Sequence, residues 1–337
     1  MKSWHETSRI YDAIARAQAA GEPSALATLV RIEGSSYRRV GAKLLIRADG
    51  ALCGQVSGGC LEQDLKERAL RLLAEDGEPE LVRYDTGADD QTLWGLGLGC
   101  NGRLDVFLQP LPARDNTGIV AEVRRRLAGL EAFALRTTLD GREAGRIVTG
   151  PPFTDEMSGI VAAEGARDYV DHLEPPADLV VIGAGDDAIP LVRIAAQAGF
   201  RVTVVDHRAA YLDAARFPDA AQLVQARPGD SAAVAPLHAQ TFAVVMNHAL
   251  ELDRAWALRL ADTPAPYIGL LGPRTRRDEI VAALPEAARA RAYGPVGLDI
   301  GAEGAEQIAI SIVAEALAVE AGRAGGSLRN RGGAIHG

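Results

Sequence analysis

The chain opens with apolar residues at helical spacing, Ile10, Ala13, Ile14 and Ala17, and Gly21 and Pro23 follow as stop signals, which predicts an amphipathic helix. The pattern then shortens. "ALATLVRI" and "AKLLIRA" are compact apolar runs, the first leading into "EGSSYRRVG" and the second into the turn Asp49-Gly50, so two neighbouring antiparallel strands are expected, with "ALCGQV" as the next. After Cys60 the helical period returns at Leu61, Leu65, Ala69, Leu72 and Leu73 and closes at Gly77 and Pro79. A strand, "RLDVFLQPL", an amphipathic helix, "VAEVRRRLAGLEAF", and a hairpin about Asp140-Gly141 follow; "DHLEPPAD" reads as a linker.

Beyond that linker the alternation of strand and helix is regular. "DLVVIGAGDDAIPLVRIAAQAGFRVTVVDH" gives an apolar strand, Gly183 and Gly185 in a GxGxxA arrangement, a helix, Gly199 as its stop, and a second apolar strand ending at Asp206. "FAVVMNHALELDRAWALRLA" and "PAPYIGLLGPRTRRDEI" repeat the strand-then-helix order, and "GAEQIAISIVAEALAVEAG" is the last helix. The expected fold class is α/β: an N-terminal α/β domain over 1–174, a C-terminal Rossmann-like doubly wound parallel sheet over 175–322, and a glycine-rich, solvated tail over 323–337.

Length and composition narrow the function. At 337 residues two packed units are the natural expectation, and 47% apolar with 24% charged residues fits a globular protein rather than a disordered or fibrous one. A net charge of -9 gives no electrostatic support to nucleic-acid binding. The opening residues lack an apolar signal segment and no run approaches the roughly 18 apolar residues of a spanning helix, which predicts a cytoplasmic chain without a membrane partner. Cys53, Cys60 and Cys100 are odd in number and form no CxxC, so reduced thiols are expected.

Three stretches carry candidate chemistry. In "GQVSGGCLEQDL" the residues Ser57, Gly58, Gly59 and Cys60 fall where a turn enters a helix, a place where backbone N–H groups face an anion or thiolate; Glu62 and Asp64 oppose thiolate formation. Cys60 as a small buried hydrophobe is the plain alternative. "GLGLGCNG" sets four glycines in eight residues around Cys100, including Gly99 beside Asn101, which suits a planar or phosphate-bearing ligand against bare backbone. In the C-terminal half, Asp206 stands 23 residues after Gly183, where an acidic residue would bind a ribose hydroxyl, while Asp186 and Asp187 occupy the place of a pyrophosphate. His248 ends a strand, to contact a ligand, transfer a proton or hold its loop. Gly272 followed by Arg274, Arg276 and Arg277 reads as a phosphate or carboxylate site, with a solvated helix face as the plain alternative.

Taken in order, "EGSSYRRVGAK", "GQVSGGCLE", "GLGLGCNG", "VVIGAGDDAIPL", "YIGLLGPRTRR" and "PVGLDIGAE" resemble the XdhC/CoxI proteins that serve molybdenum hydroxylases. The chain departs from many members at Tyr37 and Val40, where those carry proline, and at Asp186, Asp187 and Ala188, where those carry histidine-valine-glycine. The resemblance implies an accessory protein rather than a turnover enzyme. It would bind molybdenum cofactor, a molybdopterin in mononucleotide or dinucleotide form, protect it, support its sulfuration, and pass it to an apo molybdenum hydroxylase such as xanthine dehydrogenase. It makes Cys60 the leading cofactor contact, toward molybdenum itself, with Cys100 second, and leaves a cysteine desulfurase and a second copy of the chain as further partners. Molybdenum is thiophilic, so a thiol suits that cargo. Two other readings stand beside it: an NAD-dependent oxidoreductase using Gly183, Gly185, Asp206 and His248, and a nucleotide-sensing regulatory protein.

Overall fold

The computed structural model describes residues 2–34, 36–85, 102–152, 158–163, 166–230 and 237–332. The chain divides into two compact units, the first ending at Pro175 and the second covering Pro176–Gly332.

The first unit begins with α1 (Lys2–Ala19), followed by β1 (Ser24–Gly34), β2 (Lys43–Arg47), β3 (Leu52–Gly54), α2 (Glu62–Ala74), β4 (Glu80–Asp85), β5 (Gly102–Leu111) and α3 (Ile119–Ala128). Its five strands form one antiparallel sheet in the order β3-β2-β1-β5-β4. β1 is apolar almost without a break because both of its faces are covered. Ala25, Ala27 and Leu29 join Leu61, Leu65, Ala69 and Leu72 under α2, whereas Leu26 packs with Trp4, Ile10, Ile14, Val123 and Leu127 from α1 and α3. The expected hairpin at Asp49-Gly50 joins β2 to β3, with Gly50 at φ 78°.

A second sheet in this unit was only half legible. β6 (Phe133–Thr138) and β7 (Ile147–Gly150) form the hairpin about Asp140-Gly141, and β8 (Gly159–Ala163) and β9 (Ala166–Leu173) complete an antiparallel sheet ordered β7-β6-β9-β8. β9 corrects the linker reading, since Asp171, His172 and Leu173 are strand residues and only 174–177 connect the two units. Its charges hid it. Asp168 and Asp171 are both buried, and Asp171 is satisfied by Lys43 of β2.

The second unit holds β10 (Asp178–Ile182), α4 (Ala188–Ala198), β11 (Arg201–Asp206), β12 (Gln222–Gln225), β13 (Thr241–Val245), α5 (Leu250–Ala261), β14 (Tyr267–Leu270), α6 (Arg274–Ala283), a single helical turn α7 (Glu286–Arg289), β15 (Ala292–Tyr293) and α8 (Gly304–Glu320). All six strands are parallel, ordered β12-β11-β10-β13-β14-β15. Counted from β10, that is the 3-2-1-4-5-6 order of a Rossmann domain, with its switch point between β10 and β13. β10 and β13 are buried at every position, which is why their sequences read as apolar runs after the first residue, Asp178 or Thr241.

Candidate functional site

The Ser57–Cys60 turn leads directly into α2. Its amides are arranged differently from the expected anion cradle. The Ser57 Oγ accepts the N–H groups of Gly59 at 3.2 Å, Cys60 at 3.0 Å and Leu61 at 3.1 Å. That hydroxyl donates in turn to Glu62 Oε2, and Glu62 Oε1 accepts the amides of Val56 at 3.2 Å and Ser57 at 2.8 Å. Five N–H groups are thus consumed inside the turn. Burial works to raise the Glu62 carboxyl, but the Ser57 hydroxyl and the amides it accepts outweigh it and hold the group below the usual carboxylate range. Glu62, expected from sequence only as an opposing charge, is a buried internal cap. The Ser57-to-Glu62 spacing is longer than that of a capping box, so no spacing rule flagged it.

Besides those amides the turn carries a thiol and open glycine backbone. Cys60 is half-buried. A Cβ on Gly59, whose φ is 112°, would meet no atom within 4 Å, so the backbone preceding Cys60 borders open space. A Cβ on Gly58 would stand 3.9 Å from the ring of Tyr37. This geometry fits a soft metal with a flat ligand, and it supplies no unspent amides from Val56, Ser57, Gly59, Cys60 or Leu61 for a phosphate. Gly99, Cys100 and Asn101 lie outside the described residues.

At the carboxyl ends of β10, β11 and β13 the second unit assembles a separate group. Gly183, at φ 116°, passes so close to β13 that a Cβ would stand 2.6 Å from the Met246 carbonyl oxygen; here glycine is demanded by the approach of two backbones. A Cβ on Gly185 would lie 2.7 Å from Asp187 Oδ1, so that carboxylate leans over the glycine turn. Asp187 sits at the N-cap of α4, but its side chain makes no capping hydrogen bond. Asp186 pairs with Arg216 at 2.7 Å and Asp187 with His248 Nε2 at 2.7 Å, which answers the repulsion that two adjacent carboxylates would otherwise build. Arg216 is anchored by the carbonyls of Ala184 at 3.1 Å and Tyr211 at 2.8 Å. His248 holds a left-handed backbone, φ 59°, sparsely populated outside glycine.

Asp206 ends β11 as the spacing predicts, with its carboxylate fully committed. Oδ2 accepts the Ala184 amide at 2.8 Å and an Arg208 guanidinium nitrogen at 2.8 Å; Oδ1 accepts the Arg208 amide at 2.8 Å and its Nε at 3.0 Å. Burial pushes this carboxyl up, yet Arg208 and the two amides hold it down at about 2. Arg208, in turn, lies 3.8 Å over the Tyr211 ring. Sequence reasoning missed Arg208 and Arg216; the DHR run was the signal for the first.

The arginines after Gly272 also separate. Arg276 is bound to buried Asp253, which accepts the Asn247 amide at 3.0 Å as well, and Gly272 at φ 135° leaves room for the Arg276 stem. Arg277 pairs with Asp278 at 2.8 Å. Arg274 opens α6, exposed and with no ion pair among the described residues. Of the three, only Arg274 keeps a guanidinium available to an incoming anion.

An antiparallel domain with a thiol-bearing turn, followed by a parallel dinucleotide-type sheet whose ribose acceptor is occupied from within, defines a Rossmann-containing two-domain protein. Residues 17–85 match the model of the XdhC and CoxI family and residues 179–316 that of the XdhC Rossmann domain. The chain is 32% identical over 310 residues to a probable xanthine dehydrogenase component of Bacillus subtilis (strain 168), covering 88% of this chain and 93% of that protein. The chain therefore belongs to the XdhC and CoxI family. It is also 25% identical over 306 residues to the molybdenum cofactor insertion chaperone PaoD of Escherichia coli (strain K12), covering 89% of this chain and 84% of PaoD. A crystal structure described as a xanthine dehydrogenase from Bacillus halodurans superposes with a TM-score of 0.75 at 28% identity, covering 93% of this chain and 96% of that one.

Proposed function

We propose that this protein is a chaperone of the molybdenum cofactor: it binds the cofactor, shields it while it is sulfurated with a cysteine desulfurase as donor, and delivers it to an apo molybdenum hydroxylase of the xanthine dehydrogenase type. The observation that carries the reading is the match along nearly the whole chain to a cofactor insertion chaperone, together with family membership. The relatives described as xanthine dehydrogenase support the class of client.

The residues of the first unit suit that cargo. Cys60 supplies a soft sulfur donor to a thiophilic metal, and Gly58 and Gly59 leave a flat ligand room beside it. Ser57 and Glu62 fix the shape of the turn. The oxidoreductase alternative is weakened at Asp206, whose oxygens are taken up by Arg208 and Ala184, leaving a ribose diol to compete with four hydrogen bonds already made.

The test is Cys60→Ser. Protein purified from cells that make the cofactor should retain several-fold less pterin per chain than the parent, because a hydroxyl is a harder and weaker ligand for this metal, with an unchanged thermal transition. Equal retention would remove Cys60 from the site.

A further inference from the structure

Tyr37 is an aromatic residue in an unusual position. It lies in the loop joining β1 to β2 and is 69% exposed, the highest value among the large apolar side chains of the described residues. Its ring enters no aromatic contact and its hydroxyl no hydrogen bond among those residues. The loop beneath it is pinned. Gly41 donates its amide to Leu29 at 2.8 Å, Leu29 donates to Ala42 at 2.9 Å, Ala42 donates to Arg39 at 3.2 Å, and Arg38 is tied to Glu6 of α1. A side chain held in place by its backbone while its ring faces solvent forgoes the burial that normally stabilises an aromatic residue.

The surroundings of that ring supply a use. Its Cγ and Cδ1 lie 3.9 Å from where a side chain on Gly58 would begin, and Gly59 has no atom within 4 Å of the same point on its own backbone. A larger residue at Gly58 would crowd the ring, and one at Gly59 would occupy the open space of the turn that carries Cys60. We propose that Tyr37 is the stacking platform for the planar pterin ring of the cargo, so that the turn grips the cofactor by sulfur at the metal and by an aromatic face at the ring. This deepens the chaperone reading and rests on it. The chemistry is that by which flat heteroaromatic rings stack on exposed tyrosine and tryptophan, a contact whose loss on alanine substitution costs about tenfold or more in affinity.

The experiment uses the full chain and two probes: a metal-free oxidised pterin phosphate, followed by its own fluorescence, and the intact cofactor, followed as pterin retained per chain. Tyr37→Phe should bind the metal-free pterin as the parent does, Tyr37→Trp at least as well, and Tyr37→Ala about tenfold more weakly. Cys60→Ser should bind that probe within about twofold of the parent, since no metal is present for sulfur to hold, while losing the intact cofactor. All four should share the parent's thermal transition. The proposal is overturned if Tyr37→Ala holds both probes as the parent does while Cys60→Ser still loses the intact cofactor; the chaperone reading then survives and Tyr37 becomes a client contact. If the parent binds neither probe, both the proposal and the reading beneath it fall.

Discussion

Replacing Asp206 with alanine separates a residue kept for a ligand from one kept for the fold. The side chain is fully buried and accepts the Ala184 amide and three donors of Arg208. Alanine strands that amide, a cost of about 1–3 kcal/mol, and breaks a charge pair whose loss when buried costs about 3–5 kcal/mol. Arg208 is 39% exposed and turns to water, so the larger figure does not apply in full. We expect a loss of about 2–3 kcal/mol, which for a unit of this size lowers its melting temperature by roughly 5–10 °C in scanning calorimetry. Asp206→Asn keeps an acceptor for Ala184 and should lose about half as much. A melt within about 2 °C of the parent would refute the structural reading. So would micromolar NAD binding abolished by Asp206→Ala, which would restore the ribose role and promote the oxidoreductase; the parent should instead give little heat at millimolar NAD.

The same carboxyl sets a pH dependence. Held at about 2 in the folded protein against 3.8 ordinarily, it stays ionised in the native state while the unfolded chain takes up a proton. Its stabilisation is therefore complete above the ordinary value and is lost as pH falls toward 2. The acid limb of the stability curve should be shallower in Asp206→Asn, and identical limbs would show that the carboxyl contributes nothing there.

Two further outcomes follow from packing. Lys43→Met leaves Asp171 buried without its cation and should cost about 3–5 kcal/mol in urea denaturation, whereas pairing it with Asp171→Leu should recover most of that; an additive double variant would contradict the buried-pair argument. Gly183→Ala drives a methyl into the Met246 carbonyl and should cost about 3 kcal/mol or more, while Gly185→Ala meets only the movable Asp187 side chain and should cost less than about 1 kcal/mol; similar losses at both positions would refute the close-approach account.

The Rossmann half was legible because its strands are buried on both faces and its glycines are forced by geometry: at Gly183 the sequence pattern and the backbone contact demand the same residue. β9 was not, because an apolar count misses a strand whose buried positions include two aspartates, one satisfied by a lysine 128 residues earlier. Position was legible at Asp206, but commitment was not. Spacing locates a carboxylate at a strand end, yet whether a ligand or Arg208 takes it is decided by side chains that no motif specifies. Cys60 shows the same division. Serine and glycines announced the turn, while the destination of its amides depended on Glu62 folding inward.

Glu62 and Asp206 perform one task at two unrelated turns. Each places a buried carboxylate on backbone N–H groups that a glycine-rich turn would otherwise present to an anion, and each is held below the usual carboxylate range, Glu62 by the Ser57 hydroxyl and its amides and Asp206 by the Arg208 guanidinium and its amides. A ligand's phosphate competing for those amides would have to displace an ionised group already in place and strand it, which costs more than the new contact returns. Affinity at the first turn must then come from groups other than those amides. In the described residues around it those are a thiol, bare glycine backbone and an exposed aromatic ring, a set suited to a thiophilic metal carrying a flat heterocycle and poorly suited to a simple phosphate ester.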